Sequence, residues 1–166
     1  GPFICLEKGS WPQLVELYHK GEIDLLQSVI KSVENGDLGL LGKSYAALPY
    51  ALVTREGAAP ITDLSQLNGQ RLAIPAGWST IPIIRWRFPD ITIVETGSTL
   101  QAMEAVLEGD ATAALDNEVI LRYLAQTYFL SGLKFHNEVD FGAGELPNKL
   151  HIVVHADKPQ LRQLLD

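Results

Sequence analysis

The chain has 166 residues, 46% hydrophobic and 20% charged, an apolar content that excludes a disordered segment and suffices for one core or two small lobes. Its 13 basic residues against 20 acidic ones leave a net charge of −7 without a basic run, which counts against a nucleic-acid surface. No stretch approaches the ~20 apolar residues of a membrane span, and Cys5, the single cysteine, can form neither an internal disulfide nor a cysteine-based metal site.

Short apolar runs alternate with amphipathic stretches along the chain. Trp11 precedes a helical pattern, and residues 23–27 and 50–55 read as strands. The segment DLSQLNG reads as a short helix capped by Asp63 and ended by Gly69, followed by a strand over 71–75. A helix starts near Ser79, tolerates Pro82 in its first turn and stops at Pro89. After a strand over 91–95, Ser98 and Gln101 form a capping box for a helix that runs to Leu107 and ends at Gly109. A strand over 111–115, a helix over 118–130 and a last strand over 149–154 complete the pattern. Such β-α-β-α-β order predicts α/β units with a mostly parallel sheet.

Two polar, Gly/Pro-containing stretches interrupt this rhythm, EGAAPIT at 56–62 and HNEVDFGAGELPN at 136–148. Linkers on both sides of residues 63–135 predict one lobe inserted into another built from both chain ends.

Motifs of catalysis are lacking: there is no G-x-S-x-G, H-E-x-x-H, P-loop or G-x-G-x-x-G. His151 and His155 lie in a strand pattern, where four residues span ~13 Å, too far for one metal ion. They read as surface or packing residues. Glu104 and Glu108 share one helix face and read as solvated, and Asp24 reads as a turn cap. Trp86 reads as a packing residue. More informative is the loop AGWST, where Gly77 permits close backbone approach beside Trp78. Ser79 and Thr80 there offer hydroxyls and free N–H groups at a helix start. A second strand-to-helix junction carries Asp116 and Asn117, and in an open parallel sheet such junctions form the ligand crevice. The same features also suit ordinary capped turns.

The runs SWPQLVELYHKGEIDLLQSV, KSYAALPYALVTRE, DLSQLNGQRLAIPAG, LEGDATAALDNEVILRYL and LHIVVHADKPQLRQLLD, in that order, resemble the family-3 periplasmic solute-binding proteins of the Venus-flytrap type. Within that family the likeness is greatest to the sensor domains of BvgS-type hybrid histidine kinases. The resemblance implies a type II periplasmic-binding-protein fold: α/β, two lobes with mostly parallel sheets, and a two-strand hinge at Tyr50–Glu56 and about Val139–Pro147. Residues 3–55 and 145–166 would form the first lobe and 56–144 the second. The family begins with a strand and helix that have no counterpart here, so the first lobe is expected to be N-terminally incomplete. Gly1-Pro2 resembles the remnant of a cleaved tag, which leaves the lack of a leader without meaning.

The resemblance also implies a periplasmic ligand sensor without catalysis of its own, joined to the inner membrane only through a parent kinase. Implied partners are a small polar ligand of amino-acid or carboxylate type and, as an admitted assembly, a homodimer. No cofactor or metal is implied. Rival expectations are a free solute-binding protein of an ABC transporter and an enzyme-associated domain, either cyclohexadienyl dehydratase-like or attached to a lytic transglycosylase. Amino-acid binders of the family show T-x-x-R, but the corresponding stretch here reads KSVENGD, with Gly36 where Arg is expected. Asn117 falls where they place the amine-binding Asp. Lys31, with Ser28, is the nearest substitute for the missing guanidinium. The resemblance thus assigns the ligand to Trp11, Ser28, Lys31, Gly77, Trp78, Ser79, Thr80, Asp116 and Asn117.

Overall fold

The computed structural model describes residues 9–31 and 36–165. Helix α1 (Trp11–His19) leads into β1 (Leu25–Ile30), a 3-10 turn (Gly36–Leu38) and β2 (Leu40–Ala47). The chain then crosses to β3 (Tyr50–Arg55), a 3-10 turn (Leu64–Leu67), β4 (Arg71–Pro75), α2 (Thr80–Arg87) and β5 (Thr92–Thr96). Helix α3 (Thr99–Glu108), β6 (Ala113–Asn117), α4 (Glu118–Thr127) and β7 (Leu133–His136) follow. The chain returns through β8 (Lys149–Val154) and ends in α5 (Pro159–Leu165).

These strands make two sheets. The first has the order β1-β8-β2, and the second has the order β5-β4-β6-β3-β7. Residues 71–75 and 149–154 therefore lie in different sheets. The expectation of mostly parallel sheets is corrected. All pairs in the first sheet are antiparallel, and the second combines two parallel pairs with two antiparallel ones. Only the crossovers through α2 and α3 impose parallel pairing. Strand β3 arrives directly from the first sheet and meets β6 from the opposite direction.

Strand β3 belongs to the second sheet. Tyr50–Arg55, expected as first lobe and hinge, lies between β6 and β7 in the second sheet. Val139 and Phe141, expected in the return hinge, pack against the second sheet's core together with buried Leu146. The crossings are consequently shorter, at residues 47–50 and 146–149. There Leu48 N donates to Asn148 O at 3.1 Å, and the Tyr50 hydroxyl donates to Pro147 O at 2.8 Å.

Each face of the second sheet has its own core. Leu52, Leu72, Ile74 and Leu115 face Leu64, Leu67, Ile81 and Ile84, while Ala51, Val53, Ala73 and Ala114 face Ala102, Met103, Val106 and Leu121. A strand covered on both sides reads as a continuous apolar run, which is why the bounds of β3 and β4 are evident in the sequence. In the first sheet, Leu26, Val29 and Val153 pack with Tyr18 of α1 and Leu38. Trp86, expected to pack, is 80% exposed.

Local signals set the helix ends. Asp63 accepts from Ser65 N at 2.8 Å and Asp63 N donates to Gln66 Oε1 at 3.0 Å, a capping box that here opens a 3-10 turn. At α3, Ser98 Oγ accepts from Gln101 N, but Gln101 Oε1 accepts from Gly97 N rather than from Ser98. The expected box is thus offset by one residue. Gly109, with φ +88°, closes that helix in the left-handed conformation.

A buried histidine ties the linker after β3 to β7. Ile61 N donates to His136 Nδ1 at 3.1 Å, and His136 Nε2 lies 2.8 Å from Thr54 Oγ1. The ring is neutral in this arrangement, and burial, with Lys134 adding to it, holds its pKa below the usual histidine value. Because the folded pKa is depressed, its contribution is complete above the unfolded value of ~6.5 and is lost as pH falls below it. In urea unfolding between pH 7.5 and 5, wild type should therefore lose stability relative to His136→Gln. A constant difference between the two proteins across that range would refute this.

Candidate functional site

The second sheet sends three strands, β4, β5 and β6, into helices at one edge. The junctions are Ala76–Ser79 before α2, Gly97–Ser98 before α3, and Asn117 at the start of α4. Gly77, Trp78, Ser79 and Thr80 are thereby brought to the same edge as Asp116 and Asn117, where helix N-termini present free N–H groups. Ala76 N donates to Thr96 O at 2.8 Å, joining the first two junctions. The Thr99 hydroxyl donates to Asp116, joining the second to the third.

The side chains at this edge differ in what they can do. Thr80 is fully buried, and its Oγ1 has no hydrogen-bond partner among the described residues. Ser79, expected as an N-cap, is itself helical in conformation and makes no capping bond. Trp78 is half-buried against the core around Leu72 and Ile74, so part of its indole serves packing. Asp116 is 0% exposed and accepts from both the Thr99 hydroxyl and Asn117 N. Burial pushes its carboxyl up to about 7, and these two donors act against that rise. Asn117 is 4% exposed, and its Nδ2 donates to Leu48 O at 2.9 Å. The amide expected to face a ligand is thus bonded to the crossing segment between β2 and β3, while the neighbouring Glu118 N donates to Pro49 O at 2.9 Å.

From the first sheet, the start of α1 reaches this edge. Trp11 opens α1 rather than preceding it, and a methyl group on Gly77 would lie 3.3 Å from Pro12 Cγ and 3.4 Å from Trp11 Cδ1. Gly77, with φ +77°, allows this approach because it has no Cβ. Ser28 and Lys31 are not brought to the contact by any observed bond. Ser28 sits at φ +62° in an irregularity of β1, where its N and Oγ both meet the Tyr45 hydroxyl, at 3.0 and 3.1 Å. Lys31 is exposed immediately after β1. Of the stretch KSVENGD, Ser32–Asn35 lie outside the described residues, and Gly36 opens a 3-10 turn.

The remaining polar residues serve packing or the surface. His151 Nδ1 lies 2.9 Å from Gly42 O, and His155 stacks on Tyr18 with ring centroids 3.9 Å apart. Lys158 Nζ pairs with Asp24, and Glu104 and Glu108 are exposed. Sequence reasoning missed Thr99 and the fastening of Leu48, Pro49 and Pro147. Pro49 and Pro147 were the available signal for the crossings, and Thr99 carried none.

No family model matches the chain. The virulence sensor protein BvgS of Bordetella bronchiseptica is 22% identical over 134 residues, covering 81% of this chain and 11% of that protein. The BvgS proteins of Bordetella parapertussis and Bordetella pertussis show the same identity and coverage, so the chain spans about a tenth of these relatives' length. Among solved structures, the periplasmic VFT2 domain of Bordetella pertussis BvgS superposes with a TM-score of 0.78 at 20% identity, over 95% of this chain and 66% of that one. An ancestral arginine-binding protein bound to glutamine gives 0.77 at 16% identity, over 94% and 68%. The substrate binding protein of an amino acid ABC transporter gives 0.81 at 12% identity, over 96% and 69%. The chain has the α/β fold of type II periplasmic binding proteins, the Venus flytrap, with mixed sheets.

Proposed function

We propose that this chain is a periplasmic ligand-sensing Venus-flytrap domain of a membrane-anchored sensor histidine kinase, signalling by lobe opening and closure without chemistry of its own. The observation that carries this reading is the alignment with BvgS over 81% of the chain, matched by superposition on a BvgS periplasmic domain. The geometry supports it. Two sheets meet through short crossings, and the Gly77 junction, one of three on its edge, faces the start of α1. A ligand, or closure without one, would bias open against closed forms, and moving the balance from 1:99 to 99:1 takes a differential affinity of about 10⁴.

The ligand class that fits is a small polar or anionic molecule. The α2 N-terminus offers free N–H groups, and Thr80 Oγ1 is buried beside them without a partner. The first lobe would contribute Trp11, Lys31 and Ser28. With Gly36 in place of an arginine, a carboxylate there lacks a bidentate clamp, and Lys31 supplies only a point charge. The superpositions on amino-acid-binding proteins favour, as the second reading, a free solute-binding protein of a transporter.

Calorimetric titration of the chain with the common L-amino acids and small carboxylates separates the two. The sensor reading expects weak or no binding of the amino acids, and any carboxylate binding should be lost in Lys31→Ala. Tight amino-acid binding that survives Lys31→Ala would favour the transporter reading and overturn the assignment of Lys31.

A further inference from the structure

Asp116 is a fully buried carboxyl that, among the described residues, has no basic partner. Its placement relates it to the hinge. Asn117 N donates to its Oδ1, and the Asn117 side chain in turn donates to Leu48 O on the outgoing crossing. Glu118 N, the next donor along the chain, holds Pro49 O. Tyr50, which pairs with Asn117 across β3 and β6, donates its hydroxyl to Pro147 O on the return crossing. Every fastening of the crossings by β6 and α4 therefore lies within two residues of this carboxyl.

We propose that Asp116 is a proton-binding site coupled to the hinge: its charged form holds Asn117 in the hinge-gripping position, and protonation releases that grip and shifts the chain toward open lobes. As a carboxylate, Asp116 accepts from the Thr99 hydroxyl and Asn117 N together, tying the starts of α3 and α4 into one unit. On protonation one oxygen becomes a donor, and the charge-assisted character of both bonds is lost. The acid–base midpoint near neutral pH makes the switch accessible.

The surrounding groups leave this titration to Asp116. From β3, the Tyr50 phenol is held far above neutrality by burial and by Asp116 itself, and stays protonated. On α4, Glu118 is paired with Arg122 at 2.8 Å. On β5, Glu95 is paired with Arg85 at 2.7 Å, and the first turn of α3 brings only Thr99. Strand β4 contributes only Arg71, whose Nη2 donates to Gly109 O at the far end of the sheet.

The inference rests on the hinged motion proposed above but needs no ligand, so the two can fail separately. The test uses the full chain in a Cys5→Ser background with spin labels at Glu22→Cys and Glu108→Cys, one exposed site beside each sheet. Inter-label distances are measured from pH 5.5 to 8.5 without ligand. Wild type should pass from a short to a long distance as pH falls, with a midpoint near 7. Thr99→Val removes a bond that stabilises the charged form, and should move that midpoint upward. Asp116→Asn should remove the pH dependence. If Asp116→Asn does not fold, carbon-detected NMR titration of the Asp116 carboxyl in wild type and Thr99→Val gives the midpoints directly. Distances that do not change with pH, or a midpoint indifferent to Thr99→Val, would overturn the proposal. A ligand-induced change in the same labelled sample would then leave the hinge reading intact.

Discussion

Asn117→Leu should destabilise the chain by about 1–3 kcal/mol and loosen the lobes, because it removes the donor to Leu48 O and leaves that carbonyl short of a partner. From the sequence alone, Asn117 reads as a cleft residue whose loss spares the fold. The structure adds a second duty, since the residue is buried and its amide is spent on the crossing segment at Leu48. Leucine branches at Cγ as asparagine does but cannot donate, so the lost hydrogen bond, not a cavity, accounts for the cost. Urea unfolding should show a lower midpoint with an unchanged slope, the sign of a stability effect without a change in exposed surface. Asn117→Asp is the informative companion. It keeps the shape, but its carboxylate would face the Leu48 carbonyl and stand one residue from Asp116, so it should cost more than Leu at pH 8. An unfolding midpoint equal to wild type for Asn117→Leu would show that the hinge does not depend on this amide.

What the sequence reveals follows from burial. The expected bounds 50–55, 71–75 and 149–154 match β3, β4 and β8, which are apolar runs with abrupt polar ends. The strands expected over 91–95 and 111–115 begin early because Ile91 and Ala111 are core residues that precede β5 and β6. Strand β2 escapes notice because only partial burial breaks its LLGKSYAA pattern, and β7 because it has four residues. Strand direction in the second sheet is not a periodic property. It depends on where the chain crosses between sheets, two residues at Leu48 and Pro49. The two junctions at Gly77–Thr80 and Asp116–Asn117 are visible because Gly, Ser, Asp and Asn mark strand-to-helix turns. Which way the Asn117 amide points, and that Thr99 meets Asp116, depend on partners 69 and 17 residues away in the chain, and such pairing leaves no local trace.

The first sheet depends on a close approach that no side chain permits. Gly39 sits at φ +139° between the 3-10 turn and β2, and a methyl group there would lie 2.3 Å from Val154 O and 3.0 Å from the Tyr18 hydroxyl. Neither neighbour can yield. Val154 O belongs to β8, in register with Leu40. Tyr18 is buried, donates to Leu38 O at 2.8 Å and stacks on His155. Backbone strain of about 1–3 kcal/mol and overpacking of about 1–3 kcal/mol together predict that Gly39→Ala costs roughly 2–6 kcal/mol. The control is Gly57→Ala, where no atom lies within 4 Å and φ is ordinary, so the change should stay within about 0.5 kcal/mol. Hydrogen exchange locates the damage: amides of β1, β2 and β8 should lose protection while those of β4 and β6 keep it, since the two sheets have separate cores. Equal loss in both sheets would mean that the lobes fold as one unit. Loss in the first sheet alone would unfold the segments that carry Trp11 and Lys31 while leaving the Gly77 and Asp116 junctions folded. Any ligand still bound by Gly39→Ala would then be held by the second lobe alone.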